Sequence, residues 1–373
     1  MTRSLLVLVD RLGELGVTRV VMEATSDYWK APFYLLEAHG FEVLLVHARD
    51  VKHLPGRPKT DRLDAVWLGK VAERQLLRPS FVPPPAIRRL RDVARYRADL
   101  VGVRTAEKQR VEQAAGGRPH QAERGRLRQL RVSGRQMLAA LIAGERDPKV
   151  LAELARGRMR AKRSVLAEAF TGHFTDHHGF LLARMLGRVD GLDADIAELD
   201  HKLEGLIIPF TAAADRLDEI CGVGRTAACA IIAEVGVDMG RFPTPGHLAS
   251  WARFAPGVKQ SAGKTKGKSS TGHGNPYLAR VLGEAAAAAG RTDTFLGERY
   301  RRIARRRGAK RAIVAVGRSI LIIIWHLLAD PDARFHDLGA GFYHTRINPE
   351  RAKRNHIRQL EALGYKVTLQ PAA

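Results

Sequence analysis

Cysteine is almost missing from these 373 residues: only Cys221 and Cys229 occur, which rules out a disulfide framework and a thiolate metal site. Both sit in an Ala/Ile/Val-rich stretch, where a free thiol behaves as a small buried hydrophobe. Acids are also scarce, with 39 Asp and Glu against 62 Lys and Arg, a formal charge of +23. A surplus of that size points to a polyanionic partner, nucleic acid first among them, and says little about fold. No long uncharged apolar run is present. The opening run Leu5–Val9 is stopped by Asp10 and Arg11 before a signal segment can form, and the longest apolar stretch, Ala312–Ala329, carries Arg318 and His326. That stretch reads as a core helix, so no membrane is expected and the protein is placed in the cytoplasm, on the nucleoid.

What is present is a chain long enough for two or three cores. Its first eighty residues alternate in period. Leu5–Leu15 is amphipathic, Thr18–Ala24 reads as a buried strand, Trp29–His39 as a helix closed by Gly40, and Phe41–His47 as a second strand. This is a parallel α/β pattern with very few strands, which leaves the apolar edge of Val20–Met22 unpaired. A long basic helix is expected from Pro85 to about Gln113, its Arg88, Arg91 and Arg95 suited to a phosphate backbone. Residues 114–131 lack an apolar stripe and read as an insert or a frame slip. Leu182, Met185, Val189, Leu192, Ile196, Leu199, Leu203 and Leu206 then recur every three or four residues, the seam of a coiled coil. Its partner is either another subunit or a helix of the same chain. His177 and His178 just before it lack companions at metal spacing and suit a cap or surface role.

Four constellations carry chemistry. Glu23 leaves a strand end, while Asp61 and Asp64 stand three apart, on one face if helical. Three carboxylates suit Mg²⁺ in phosphoryl transfer, although the spacing alone favours Asp61 as a helix cap with Asp64 in the first turn. Gly222-Val223-Gly224 followed by Arg225 and Thr226 has the helix-hairpin-helix pattern, whose bare backbone N–H groups can hold a DNA phosphate; a plain tight turn is the alternative. From Gly257 to Gly283 there is no acid, and Lys259, Lys264, Lys266 and Lys268 accompany Ser261, Ser269 and Ser270. Such a loop can approach phosphate, and one of its serines could attack phosphorus, but spacing does not choose among them. Finally Arg299–Arg311, including Arg305, Arg306 and Arg307, is either a phosphate-binding stretch or a solvated helix face.

These residues, in this order, resemble insertion-sequence transposases of the DEDD type, the IS one-ten family, whose members are guided by a structured bridge RNA. The similarity lies in MEATSDYW from Met22, LPGRPKTDRLDAVWLGK from Leu54, LRDVARYRADL from Leu90, GVGRTAACAIIAEVG from Gly222, and RFPTPGHLASWARFAPGVKQSAGK from Arg241. The resemblance implies an α/β plus all-α chain in three parts. Residues 1–113 would be an RNase H/resolvase-like domain with its trailing basic helix, 114–207 a coiled-coil connector, and 208–373 a mainly helical transposase domain with helix-hairpin-helix and serine loop. It further implies that Glu23, Asp61 and Asp64 hold Mg²⁺ as the second, third and fourth acids, and that Ser261 is the nucleophile. Donor and target DNA, a guide RNA and a homo-oligomer, dimer or tetramer, are the implied partners. Ala262 stands where the family has glycine. The family's first strand and first Asp have no counterpart, since Asp10 falls in the amphipathic helix, so the copy is expected to be truncated and impaired in strand cleavage. Two rivals are a junction-resolving or repair nuclease, which needs the acids but not Ser261, and a nucleic-acid-binding remnant without chemistry.

Overall fold

A computed structural model describes residues 2–370 apart from 25, 49–50, 52–59, 78, 116–131, 173, 258–259, 263, 266–270 and 344–348. The chain divides into two compact units, Met1–Pro84 and Pro85–Ala373.

In the first unit, α1 (Thr2–Glu14) precedes β1 (Arg19–Ala24), α2 (Lys30–Ala38), β2 (Glu42–His47) and α3 (Asp61–Glu73). The strands pair in parallel, Arg19 opposite Glu42 through Ala24 opposite His47, with α2 as the crossover that parallel pairing requires. Gly40 at φ +85 ends α2, its N–H and that of Phe41 returning to the last carbonyls of the helix. Phe33, Leu36, Leu45 and Val46 make the buried centre. Beyond β2, the Ser80 N–H donates to the Leu45 carbonyl at 2.6 Å and Pro79 bridges Val46. Among the described residues β1 pairs with β2 alone.

The second unit opens with α4 (Pro85–Ala114), followed by α5 (Val132–Ile142), two short helices, Pro148–Glu153 and Arg163–Phe170, and then α6 (Asp176–Leu206). The helix expected to trail the first domain thus packs with the residues after it. Ile87 and Leu90 enter the core that holds Ile231 and Ile232, and Val111 meets Leu138, Leu141, Leu182 and Val189. The sequence-based boundaries at 113 and 207 do not coincide with this partition, because α4 spans both clusters. α4 runs to Ala114, so the irregular stretch begins later than expected, and 116–131 lie outside the described residues. α6 lies antiparallel to α4: Arg97 pairs with Asp200, and Arg104 with Asp193 at 2.6 Å. The seam Leu182–Leu203 is therefore buried within the chain. Thr175 and His178 form a capping box at the start of α6, which gives His178 the capping role.

The remaining core is helical. α7 (Thr211–Asp218), α8 (Arg225–Val235), α9 (Pro245–Trp251), the hairpin β3 (Gln260–Ser261) and β4 (Lys264–Thr265), α10 (Pro276–Ala289), α11 (Phe295–Arg307) and α12 (Ala309–Ala329) precede the exposed α13 (Pro349–Ala362). α12 is long and apolar enough to cross a membrane, but Val316, Ile320, Leu321 and Ile324 are 0% exposed in the centre of this core. At Gly317 an added Cβ would lie 2.5 Å from the Phe254 ring, so the side-chain-free position admits that ring.

Candidate functional site

Glu23 is the penultimate residue of β1, half-buried, at the carboxyl end of a parallel pair, where open α/β sheets place their ligands. Asp61 and Asp64 occupy one face of the first turn of α3, which packs on β1. Their charge suits the positive helix end. The N-cap is Thr60, not Asp61, and the Asp64 N–H donates to the Thr60 carbonyl at 2.8 Å. The capping explanation of Asp61 is thus corrected, because Thr60 takes the extended cap conformation and leaves Asp61 one position inside. The three carboxylates supply only hard oxygen donors, the chemistry Mg²⁺ prefers. They are not drawn into a metal-sized cluster: no three His, Cys, Asp or Glu converge in this way among the described residues.

In the second unit α7 and α8 are joined by the Gly-Val-Gly turn, and the two glycines do different work. Gly222 has φ +90, and a Cβ there would lie 2.4 Å from the Ala285 carbonyl oxygen and 2.9 Å from the Ala289 nitrogen, both backbone of α10. Gly224 has φ −93 and ψ 172 as the N-cap of α8, with open space where a Cβ would be. No side chain caps α8, so its first N–H groups face outward beside exposed Arg225 and Thr226. Arg225 is held by Asp215. This helix end opens on a cavity of about 900 Å³ between α4, α6, α8 and α10, walled by Val101, Leu203 and Val281 and edged by Arg97 and Arg280. Cys229 lines it, and burial pushes its thiol pKa up, outweighing the nearby Arg225.

The basic helix α4 turns much of its charge inward. Arg91 donates at 2.8 Å to the Ala233 and Glu234 carbonyls, the end of α8. Arg95 donates to both Glu234 carboxylate oxygens, at 2.7 and 2.8 Å, and lies 4.9 Å from the Tyr277 ring centre. Its hydrogen bonds to Glu234 raise the guanidinium pKa further. These two arginines hold the fold, a departure from the expectation of phosphate contact; Arg88 is half-buried and has partners of its own. Glu234 was missed on sequence. It is 2% exposed, and its only signal is an acid amid Ala-Ile-Ile-Ala and Val.

Ser261 lies in β3, paired with Lys264 of β4, and Ala262 between them adopts φ +49. Glycine is at ease there and alanine is not. Lys264 is exposed; Lys259, Lys266 and Lys268 lie outside the described residues. Arg305, Arg306 and Arg307 form the exposed last turn of α11, continued by exposed Lys310 and Arg311. By contrast Arg299 donates to the Tyr343 hydroxyl at 3.0 Å, and the Arg302 guanidinium covers the Tyr343 ring at 4.5 Å.

Acids at a sheet end in one unit, and a bare helix end and a basic hairpin in the other, are features suited to handling nucleic acid. Comparison with protein families defines the class. A DEDD transposase model of the IS110 type matches residues 2–115, and a model described as "Transposase IS116/IS110/IS902 family" matches residues 214–301. The chain belongs to the IS110 family of transposases: it is a transposase by family and its substrate is DNA. No curated protein matches it.

Proposed function

We propose that this transposase cleaves and rejoins DNA strands with Ser261 as nucleophile, in the manner its family resemblance implies. The supporting observation is the placement of Ser261 in a short hairpin within an acid-free, lysine-rich stretch of the second matched region. Attack by the serine oxygen on a phosphodiester forms a serine–phosphate ester and releases a 3′ or 5′ hydroxyl; attack by a second DNA end reverses this and frees the serine. The serine proton must leave during attack, and the adjoining lysines balance charge on the phosphate. The family resemblance assigns Mg²⁺ to Glu23, Asp61 and Asp64, which would have to draw closer together than they stand in this structure to hold it; bound there, the ion would neutralise charge on the reacting phosphate.

Gly224, Arg225 and Thr226 at the start of α8 form the phosphate-binding end of a helix-hairpin-helix, with Arg305, Arg306 and Arg307 as a second, purely electrostatic contact. A structured guide RNA selects the DNA, and the active species is a cytoplasmic dimer or tetramer. Because the α6 seam is covered by α4, subunit contacts are assigned elsewhere.

The test is strand transfer between element ends with flanking RNA and Mg²⁺. Loss in both Ser261→Ala and Asp61→Asn is the expected result. Transfer surviving in Ser261→Ala but lost in Asp61→Asn would favour a nuclease that uses the acids alone.

A further inference from the structure

The stretch bearing Ser261 leaves the core after Phe254 and returns at Gly274. Its two ends touch. A Cβ on Gly274 would lie 2.9 Å from Cβ and Cγ of Arg253 and 3.0 Å from the Ala252 carbonyl oxygen, so only glycine lets the outgoing and returning strands close this neck. Arg253 itself sits at φ +62. The next residue, Asn275, faces two ways. Its Oδ1 accepts from the Tyr277 and Leu278 N–H groups at 3.0 and 3.2 Å, capping α10, while its Nδ2 donates to Oε2 of Glu234.

Glu234 is thus tied to three elements at once: to α8, which carries it, to α4 through Arg95, and to the neck through Asn275. A carboxylate only 2% exposed is stable there because both oxygens are satisfied by charged or amide donors. Removing the Asn275 donor leaves Oε2 bound to Arg95 alone and unties the neck from α8.

We propose that Glu234, acting through Asn275, is a positioning residue that fixes the Ser261 hairpin relative to the bare end of α8. The inference rests on the serine reading given above. It assigns Glu234 no contact with DNA and no proton transfer.

Asn275→Asp keeps an oxygen to cap α10 but sets a carboxylate against Glu234. Adding Glu234→Gln restores one donor and one acceptor between the two residues with the polarity reversed, at the same total charge, while Arg95 keeps one of its two bonds to residue 234. In the 373-residue chain the single Asn275→Asp change should speed tryptic cleavage at Lys264 by about tenfold relative to other sites, as the open state of the neck gains population. A displacement of about 1 Å at the serine should lower kcat for strand transfer by roughly a hundredfold. KM for DNA should stay within about twofold, since α8 keeps its own phosphate contacts. The double variant should recover both readouts in large part. The proposal is overturned if loop cleavage does not change, if cleavage rises while kcat holds, or if the double variant regains its melting temperature without regaining kcat. Should Ser261→Ala leave transfer intact, the serine reading fails; the cleavage readout then decides the anchoring alone, acceleration reversed in the double variant supporting it and no acceleration overturning it.

Discussion

Replacing Gly222 and Gly224 by alanine, one at a time, should separate two roles that the Gly-x-Gly pattern merges. At Gly222 the new methyl meets two costs. A φ of +90 is poorly tolerated by an L-residue, at about 1–2 kcal/mol. The Cβ also lands 2.4 Å from a backbone oxygen of α10. Helix backbone yields less readily than the end of a side chain, and overpacking of this kind costs about 1–3 kcal/mol. With a combined loss of about 3 kcal/mol, a domain of this size should melt roughly 6–12 °C lower. Gly224 has an extended conformation open to any residue and free space around it, so alanine there should cost only about 0.5–1 kcal/mol, from the poorer N-cap. Its methyl does, however, stand where a phosphate would approach the first N–H groups of α8. Thermal unfolding followed by circular dichroism, with DNA affinity at fixed salt, reads both effects. Gly222→Ala should lose stability, and Gly224→Ala should stay folded and bind DNA less tightly. Equal melting shifts, or unchanged binding by Gly224→Ala, would refute the division.

Three further outcomes follow from the same geometry. Ala262→Gly relieves the φ of +49 in the hairpin, partly offset by the entropy of a glycine, and should stabilise by up to about 1 kcal/mol, seen as a small rise in melting temperature; a fall would contradict the strain. Replacing Arg305, Arg306 and Arg307 together by alanine should flatten the slope of log affinity for DNA against log salt by about 3 if each meets a phosphate, and an unchanged slope would make them a solvated face. In a Cys221→Ser background, Cys229 should alkylate more slowly than a small free thiol at pH 8 and gain rate as pH rises further. Its pKa is raised by burial, so the thiolate appears later; equal rates at pH 8 would contradict that cause.

Local periodicity made many of the elements legible. Strands β1 and β2, the helix between them and the long helices α4, α6 and α12 follow apolar spacings that need no knowledge of the rest of the chain. Partners were less legible. The α6 seam has the same pattern whether it meets a second subunit or α4, and only the fold settles that it meets α4. The arginines of α4 read as a free basic face because the acid that claims Arg95 lies 139 residues away. Glu234 hid for the same reason, a single carboxylate whose role depends on Arg95 and Asn275 converging from other elements. Spacing never distinguished Ser261 from Ser269 or Ser270, and the proposal of Ser261 rests on the family resemblance alone. Even the Ala262 departure gained its meaning only from the backbone, where φ is positive.

The most direct test of the serine-centred account is to locate the covalent bond it requires. Full-length protein is incubated with end-labelled element DNA, flanking RNA and Mg²⁺, quenched in detergent, digested, and the DNA-bearing peptide is sequenced by mass spectrometry. The account predicts a nucleotide attached to Ser261, in the peptide released from the stretch around β3, and none in Ser261→Ala. Attachment at Ser269 or Ser270, or strand transfer proceeding with no protein–DNA linkage at all, would contradict it.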